Sequence, residues 1–197
     1  MSIISVDFDD TILQTMQAIL QMQNNIIFGR VLYKQDLQDI FFSKLDGMSH
    51  TKAQDLEMRD AFIQSDLHLQ TPMYPHAQQQ LQALQDAGHT LHIVTWRHEK
   101  HKKAIHTYLD THLPWIFTDV HVCNTSLPHE ITKKERYERL WVSYIIDDSR
   151  RQVTWAVQKL WVQGFIMDQQ RNQSYANDLP WAQRVHWRQD SAFAQIS

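Results

Sequence analysis

The sequence predicts an α/β fold: a doubly wound parallel sheet of five strands with helices on both faces, and a small helical cap inserted after the first strand. Five short apolar runs each end in polar residues, as the strands of a parallel sheet do at their carboxyl ends. Helical patterns separate most of these runs, which is the alternation that right-handed crossovers produce. The first interval is far longer than the dozen or so residues that a crossover needs.

The predicted strands are apolar and rich in β-branched residues, and a polar residue stops each of them. They are residues 3–6, 89–95, 118–123, 142–146 and 162–167. The first strand leads into the segment DFDD, and the fourth leads into Asp147 and Asp148. Because carboxyl ends of parallel strands share one edge of a sheet, these carboxylates are expected to lie near one another.

Helices are predicted between the strands, in a Rossmann-like alternation, at residues 75–87, 98–112, 133–140 and 150–160. The first of them has the clearest ends. Pro75 suits a first helical turn, and Gly88 suits the left-handed conformation that closes many helices.

Residues 12–71 are predicted to form the helical cap, and residues 1–11 and 72–197 the α/β core. Apolar residues within this insertion recur at helical spacing in three groups. The groups are Ile12, Met16, Ile19, Leu20, Ile26 and Ile27; Leu37, Ile40, Phe41 and Leu45; and Leu56, Phe62 and Ile63.

Composition excludes several classes of function. The 197 residues carry a formal net charge of −3, so a basic surface for a nucleic-acid duplex is not expected. No apolar stretch approaches the ~20 residues that cross a bilayer, and the start lacks a secretory signal pattern, so cytoplasmic residence is the expectation. A single cysteine excludes disulfides and CxxC metal sites. Four widely spaced glycines exclude GxGxxG and Walker-type loops.

The DFDD segment places Asp7 and Asp9 two residues apart, where strand geometry would point both side chains the same way. Two carboxylates ~4 Å apart repel by about 4 kcal/mol at an effective dielectric near 20. A cluster that includes Asp147 and Asp148 therefore needs a cation, and all-oxygen ligation suits Mg²⁺. The alternative is that these acids only cap helices and turns.

Four motifs in this order decide between those alternatives: SVDFDDT, HIVTWR, ITKKERYERL and YIIDDS. They resemble the signature of the haloacid dehalogenase superfamily of phosphatases over nearly the whole chain. The resemblance implies that Asp7 is the nucleophile, which forms an aspartyl-phosphate, and that Asp9 is the general acid and base. Dehalogenases lack the second acid, so a phosphoryl-transfer member is implied.

The same resemblance implies how phosphate and metal are held. Phosphate would be bound by Thr95, Trp96 and Lys133. Mg²⁺ would be bound by Asp7, Asp147 and the backbone carbonyl of Asp9, with Asp148 in support. Lys134 remains an alternative to Lys133, and because adjacent helical residues diverge by about 100°, only one of the two can reach the site.

The tail resembles the 5'(3')-deoxyribonucleotidase-like branch of the superfamily. Its segments GFIMDQQRNQ and RVHWRQDSAF place Asn172 and the run from Arg184 to Trp187 at the matching positions. That branch places a nucleotide base under the cap, often against aromatic residues. Candidates are Phe28, Tyr33, Phe41, Phe42 and Tyr74. Arg97 is expected to contact the phosphate or ribose of the substrate, or to form a surface salt bridge.

The predicted function is a Mg²⁺-dependent phosphomonoesterase, a 5'-nucleotidase acting on (deoxy)nucleoside monophosphates. One alternative is a phosphatase for another small phosphate ester, such as a sugar phosphate. Another is a non-catalytic binding or regulatory module, which would have no physical need for Asp9. The expected partner is a small-molecule phosphate monoester, and a homodimer is compatible with the sequence.

Overall fold

The computed structural model describes residues 1–24, 26–27, 30–33, 36, 42–45, 51–123, 131–169, 182–187, 193 and 196. Within these ranges the chain forms eight strands and six α-helices. In chain order they are β1 (Ile3–Val6), α1 (Thr15–Met22), β2 (Ile26–Ile27), β3 (Arg30–Val31), α2 (Lys52–Gln64), α3 (Ala77–Asp86), β4 (Thr90–Thr95), α4 (Lys102–His112), β5 (Asp119–Val122), α5 (Lys133–Leu140), β6 (Tyr144–Asp147), α6 (Arg150–Leu160), β7 (Gln163–Met167) and β8 (Ala182–Val185). None of the described helices combines the length and the apolar character that crossing a bilayer requires.

Six of the strands form one parallel sheet in the order β5-β4-β1-β6-β7-β8. This confirms the doubly wound α/β prediction, but the predicted number of five strands is wrong. The sixth strand, β8, lies at the edge of the sheet, where Gly164 of β7 pairs with Ala182. Its sequence, AQRV, has two polar residues in its middle. An edge strand of this kind lacks the continuous apolar run by which buried strands are recognised.

Helices cover both faces of the sheet, and each face has its own apolar cluster. Ile4 and Ile93 belong to the cluster that also includes apolar residues of α3 and α4. Ile145 and Val94 belong to the cluster that includes residues of α5 and α6. On that face a Cβ atom at Gly164 would lie 2.3 Å from Val153 Cγ1, so the close approach of α6 to β7 requires glycine.

The segment between β1 and α3 has a third apolar cluster. Its buried members include Met16, Ile19, Leu20, Ile27, Leu32, Phe42, Phe62 and Ile63. Ile26 and Ile27 were expected on a helix, but they form β2 and pair with β3 in a short antiparallel hairpin, so that part of the prediction is wrong. Leu37, Ile40 and Phe41 lie outside the described residues. The assignment of residues 12–71 to a cap domain stays a prediction.

Helix α3 ends as its sequence indicates. Gly88 follows it with a φ of 86°, the left-handed conformation that glycine adopts without steric cost. This turn leads directly into β4 and so sets the position of Thr95 at the carboxyl end of that strand.

Candidate active site

The carboxyl ends of β1 and β6 bring three carboxylates together. Val6 pairs with Ile146, and the amide of Asp7 donates to the carbonyl of Ile146 at 2.9 Å, so Asp7 lies beside the end of β6. Oxygen atoms of Asp7, Asp147 and Asp148 lie within 4.8 Å of one another, and all three residues are buried. Asp7, Asp147 and Asp148 thus lie close together at the carboxyl ends of parallel strands, as the sequence predicts.

Lys133 is the cation within this group. Its Nζ donates to Asp7 Oδ1 at 2.6 Å and to Asp147 Oδ2 at 2.8 Å, and its side chain is 5% exposed. Lys133 is the first residue of α5, and reciprocal hydrogen bonds between Thr132 and Glu135 fix the start of that helix. Lys134 points elsewhere, because its Nζ lies 4.8 Å from the ring centroid of Trp155.

Burial and charge govern the ionisation of this cluster. Burial raises the pKa of Asp7 to about 7, with Asp147 adding to the rise and the Lys133 ammonium opposing it. Burial alone would lower the pKa of Lys133, but Asp147 and Asp7 raise it well above the ordinary value. The three carboxylates form an all-oxygen donor set, which fits Mg²⁺.

The side chains of Thr11 and Tyr137 also contact the cluster, and neither residue was predicted from the sequence to belong to the site. The hydroxyl of Thr11 lies 3.5 Å from both Asp7 Oδ2 and Asp148 Oδ1, and it accepts the Asp148 amide at 3.0 Å. The hydroxyl of Tyr137 lies 3.3 Å from Asp147 Oδ2. Two features of the sequence could have indicated these residues. Thr11 directly follows the DFDD segment, and Tyr137 lies one helical turn after Lys133.

Asp9 has different partners from Asp7. Its Oδ1 accepts from Arg97 Nη2 and from the Thr15 hydroxyl, both at 2.6 Å, and its Oδ2 accepts from Arg97 Nε at 2.8 Å. Burial alone would raise the pKa of Asp9, but Arg97 and the Thr15 hydrogen bond hold it well below its usual range. Strand β1 ends at Val6. Strand alternation therefore does not extend to Asp7 and Asp9, and their carboxylates need not share one direction.

Asp10 caps the first helix of the inserted segment. Its Oδ1 accepts the backbone amide of Met16 at 3.0 Å, and its own φ is 55°. The left-handed turn at Asp10 thus redirects the chain from the sheet edge into α1, whose first residue, Thr15, contacts Asp9.

The residues after β4 divide between the interior and the surface. Thr95 is buried at the end of the strand, next to β1 in the sheet, and Trp96 is about half exposed. The Arg97 side chain is 3% exposed and is ion-paired with Asp9. The described contacts of Arg97 are with Asp9, His68 and Phe8.

The aromatic candidates for contact with a nucleotide base, and the tail residues on which the resemblance to the nucleotidase-like branch rests, are only partly described. Tyr33 is exposed, and Phe42 is buried in the third apolar cluster. The hydroxyl of Tyr74 donates to Gln169 at 2.9 Å. Phe28, Phe41 and Asn172 lie outside the described residues.

The tail nevertheless contacts the edge of the sheet at which Asp7, Asp147 and Asp148 lie. Trp187 is buried, and its Nε1 donates to the carbonyl of Thr11 at 2.6 Å. Asp168, at the end of β7, lies 2.9 Å from His186 Nε2. Trp187 therefore supports the turn that follows Asp7 and Asp9.

Comparison with known proteins gives matches in structure and none in sequence. No protein-family profile matches the chain, and no curated protein matches it. A haloacid dehalogenase-like family hydrolase from Streptococcus pneumoniae is similar, with a TM-score of 0.58 and 10% identity over 85% of each chain. A predicted phosphoglycolate phosphatase from Haemophilus somnus has a TM-score of 0.55 and 15% identity, also over 85% of each chain.

A third similar structure is that of Protein Tyrosine Kinase A from Mycobacterium tuberculosis, with a TM-score of 0.64 and 10% identity over 94% of this chain and 92% of the other. Identities this low establish a common fold and leave the reaction to be argued from the site itself. The parallel sheet, the acidic edge and these likenesses together show that the chain has the haloacid dehalogenase-like hydrolase fold.

Proposed function

We propose that the protein is a Mg²⁺-dependent phosphomonoesterase that works through an aspartyl-phosphate intermediate. The observation that carries this proposal is the buried cluster of Asp7, Asp147 and Asp148 joined by Lys133. Phosphoryl transfer needs its oxygens positioned and neutralised more than it needs covalent assistance, and this cluster offers one nucleophile surrounded by groups for that purpose.

In the first step a carboxylate oxygen of Asp7 attacks phosphorus, and the bond from phosphorus to the ester oxygen breaks. Asp9, whose pKa the Arg97 ion pair lowers, must be protonated at this point and donates its proton to the departing alkoxide. In the second step Asp9 takes a proton from water, the water oxygen attacks phosphorus, and the bond to Asp7 breaks to release inorganic phosphate. The enzyme returns to its starting state after both steps.

Around the reacting atoms, Lys133 and Thr95 hold the phosphoryl oxygens, with Trp96 beside them. Asp7, Asp147, Asp148 and the backbone carbonyl of Asp9 would hold Mg²⁺, which would supply positive charge for the transferred phosphoryl group. The ammonium group of Lys133 also supplies positive charge at this place, since it bridges the carboxylates of Asp7 and Asp147.

For the substrate we propose a nucleoside or deoxynucleoside monophosphate, on the resemblance of the tail that includes Trp187. A second candidate is a smaller phosphate ester, such as a sugar phosphate, and the likeness to a predicted phosphoglycolate phosphatase favours it. A non-catalytic role is the least consistent with the site, because a binding module gains nothing from a second carboxylate fixed by Arg97 and Thr15.

The test is a phosphate-release assay on 5'- and 3'-nucleoside monophosphates, sugar phosphates, phosphoglycolate and 4-nitrophenyl phosphate, with Mg²⁺ or with EDTA. We expect Mg²⁺-dependent turnover by the native chain, and none by Asp7→Asn, which keeps the shape but lacks the nucleophilic charge. Asp110→Asn, on the exposed surface of α4, is the matched control. No release by the native protein from any ester would reject the proposal, and activity in Asp7→Asn would reject its covalent step.

A further inference from the structure

The carboxylate of Asp9 is held by donors from two separate elements. Arg97, in the loop after β4, reaches both oxygens in a fork, and Thr15, at the start of α1, reaches Oδ1. Each carboxylate oxygen has two lone pairs. Among the described contacts Oδ1 therefore has two donors and Oδ2 has one, so the fork of Arg97 and the Thr15 hydroxyl together fix the orientation of the carboxylate.

The guanidinium of Arg97 is itself held in place on two sides. Its Cζ lies 4.9 Å from the ring centroid of Phe8, the residue between Asp7 and Asp9. Its Nη1 lies 3.1 Å from Nε2 of His68. A planar guanidinium with bonds along two edges and a ring against its face has little freedom to turn.

His68 is as firmly placed as Arg97. It is 1% exposed, and its ring lies among three aromatic rings, those of Phe8, Phe62 and Tyr108, at centroid distances of 6.4, 6.0 and 5.8 Å. Because Arg97 can only donate, Nε2 of His68 must accept, which places the ring proton on Nδ1. His68 lies in the short 3₁₀ helix Asp66–Gln70, just before the chain returns to the core.

We propose that Arg97 and His68 are positioning residues for the acid and base step, Arg97 by fixing the carboxylate of Asp9 and His68 by fixing the guanidinium of Arg97. The proposal rests on the proposed phosphatase function. It replaces the expectation that Arg97 contacts substrate, since the fork of Arg97 faces Asp9 and its side chain is 3% exposed.

If the ion pair between Arg97 and Asp9 only stabilised the fold, its loss would lower activity on all substrates alike. An alkyl phosphate needs its leaving oxygen protonated as the bond breaks, whereas the 4-nitrophenolate ion leaves without a proton. If Arg97 positions Asp9, its loss therefore slows the alkyl ester selectively. The ratio of kcat/KM for the two esters does not depend on the fraction of enzyme that is folded, so partial unfolding cancels.

The experiment measures that ratio, alkyl over aryl, for whichever alkyl phosphate the native enzyme hydrolyses best. Asp9→Asn is the reference for complete loss of acid catalysis. We expect Arg97→Met to lower the ratio by at least about thirtyfold, part of the 10²–10⁴ that general acid catalysis contributes. Arg97→Lys, which keeps the charge without the fork, should recover part of that loss. His68→Leu should lower the ratio about fivefold, and His68→Gln, which keeps an acceptor near Nε2, should stay within about twofold of the native value.

The outcomes separate this proposal from the proposed function. If Asp9→Asn lowers the ratio while Arg97→Met, Arg97→Lys and His68→Leu leave it unchanged, the positioning role is wrong and the phosphatase stands. If Arg97→Met is too unstable to assay, Arg97→Lys and His68→Leu decide. If the native enzyme hydrolyses neither ester, the phosphatase proposal fails, and with it the roles given to Arg97 and His68.

Discussion

Lys133 neutralises the buried carboxylates of Asp7 and Asp147, to which its Nζ donates at 2.6 and 2.8 Å. Lys133→Met should lower kcat/KM by about 10²–10³-fold, as loss of one preorganised charge-stabilising donor does in other enzymes. Lys134→Met is the matched control, because the Lys134 ammonium lies over Trp155, away from the carboxylates. Steady-state kinetics on one aryl phosphate compares the two. Equal losses in both variants would contradict the role of Lys133.

Asp147 is expected to be the residue on which metal affinity depends most. A ligand at 100 times its Kd stabilises the folded state by about 2.7 kcal/mol, so saturating Mg²⁺ should raise the melting temperature by several degrees. Asp147→Asn should lose most of that rise, and the exposed Asp110→Asn should keep it. Differential scanning fluorimetry with and without Mg²⁺ measures the shift, and Ca²⁺ tests its selectivity. A native protein that shows no shift with Mg²⁺ would contradict the metal site.

For individual residues, the contacts that depend on the ends of parallel strands could be predicted from the sequence. The contacts that depend on tertiary packing could not. Asp7 and Asp147 could be placed together because parallel strands align their carboxyl ends. The contact between Arg97 and His68 joins residues that no local pattern relates. It depends on how the segment before α3 packs against the loop after β4, which periodicity does not report.

Among the elements, α5 presents Lys133 from its first turn, and its start is fixed by Thr132 and Glu135. Thr132→Ala should destabilise the protein by about 1 kcal/mol and also lower kcat/KM several-fold, since the turn that orients Lys133 would loosen. The chain offers a matched control in α2, where Thr51 and Gln54 form the same kind of capping box.

Thr51→Ala should have a similar cost in free energy of unfolding, measured with urea, without lowering kcat/KM on an aryl phosphate. An equal loss of activity in both variants would show that Thr132 acts only through stability. Unchanged activity in Thr132→Ala would show that Lys133 is held by its carboxylate partners alone.

The elements differed in how well their sequences specified them. Buried strands such as β4 and capped helices such as α3 could be predicted, since a continuous apolar run or a closing glycine marks each of them. The edge strand β8 and the hairpin of β2 and β3 could not. Their pairing is decided by neighbouring strands, and their own residues fit more than one structure.

Across the whole molecule, buried histidines make stability depend on pH. Burial lowers the pKa of His68, His101 and His121 to about 4 each. A lowered pKa contributes stability that is present above the ordinary value of about 6.5 and is lost as the pH falls through 4. Melting temperature should therefore fall steeply between pH 6.5 and 4.

The burial of Asp7 acts in the opposite direction, because its raised pKa contributes stability that is lost as the pH rises through about 7. The informative comparison is therefore between variants. His101→Gln should flatten the fall in melting temperature below pH 6.5, and the exposed His106→Gln should leave it as in the native protein. Parallel curves for the native protein and His101→Gln would contradict the assignment.

The position of β1 in the middle of the sheet has a consequence for how the chain is made. Ile4 pairs with Leu91 on one side and with Tyr144 on the other, so β1 is synthesised well before either of its neighbours. At roughly ten residues per second, β1 waits on the order of ten seconds for its second partner. Such long-range pairing slows folding and leaves an apolar segment open to association meanwhile. The strand that leads to Asp7 thus needs protection while its two neighbours are still being made.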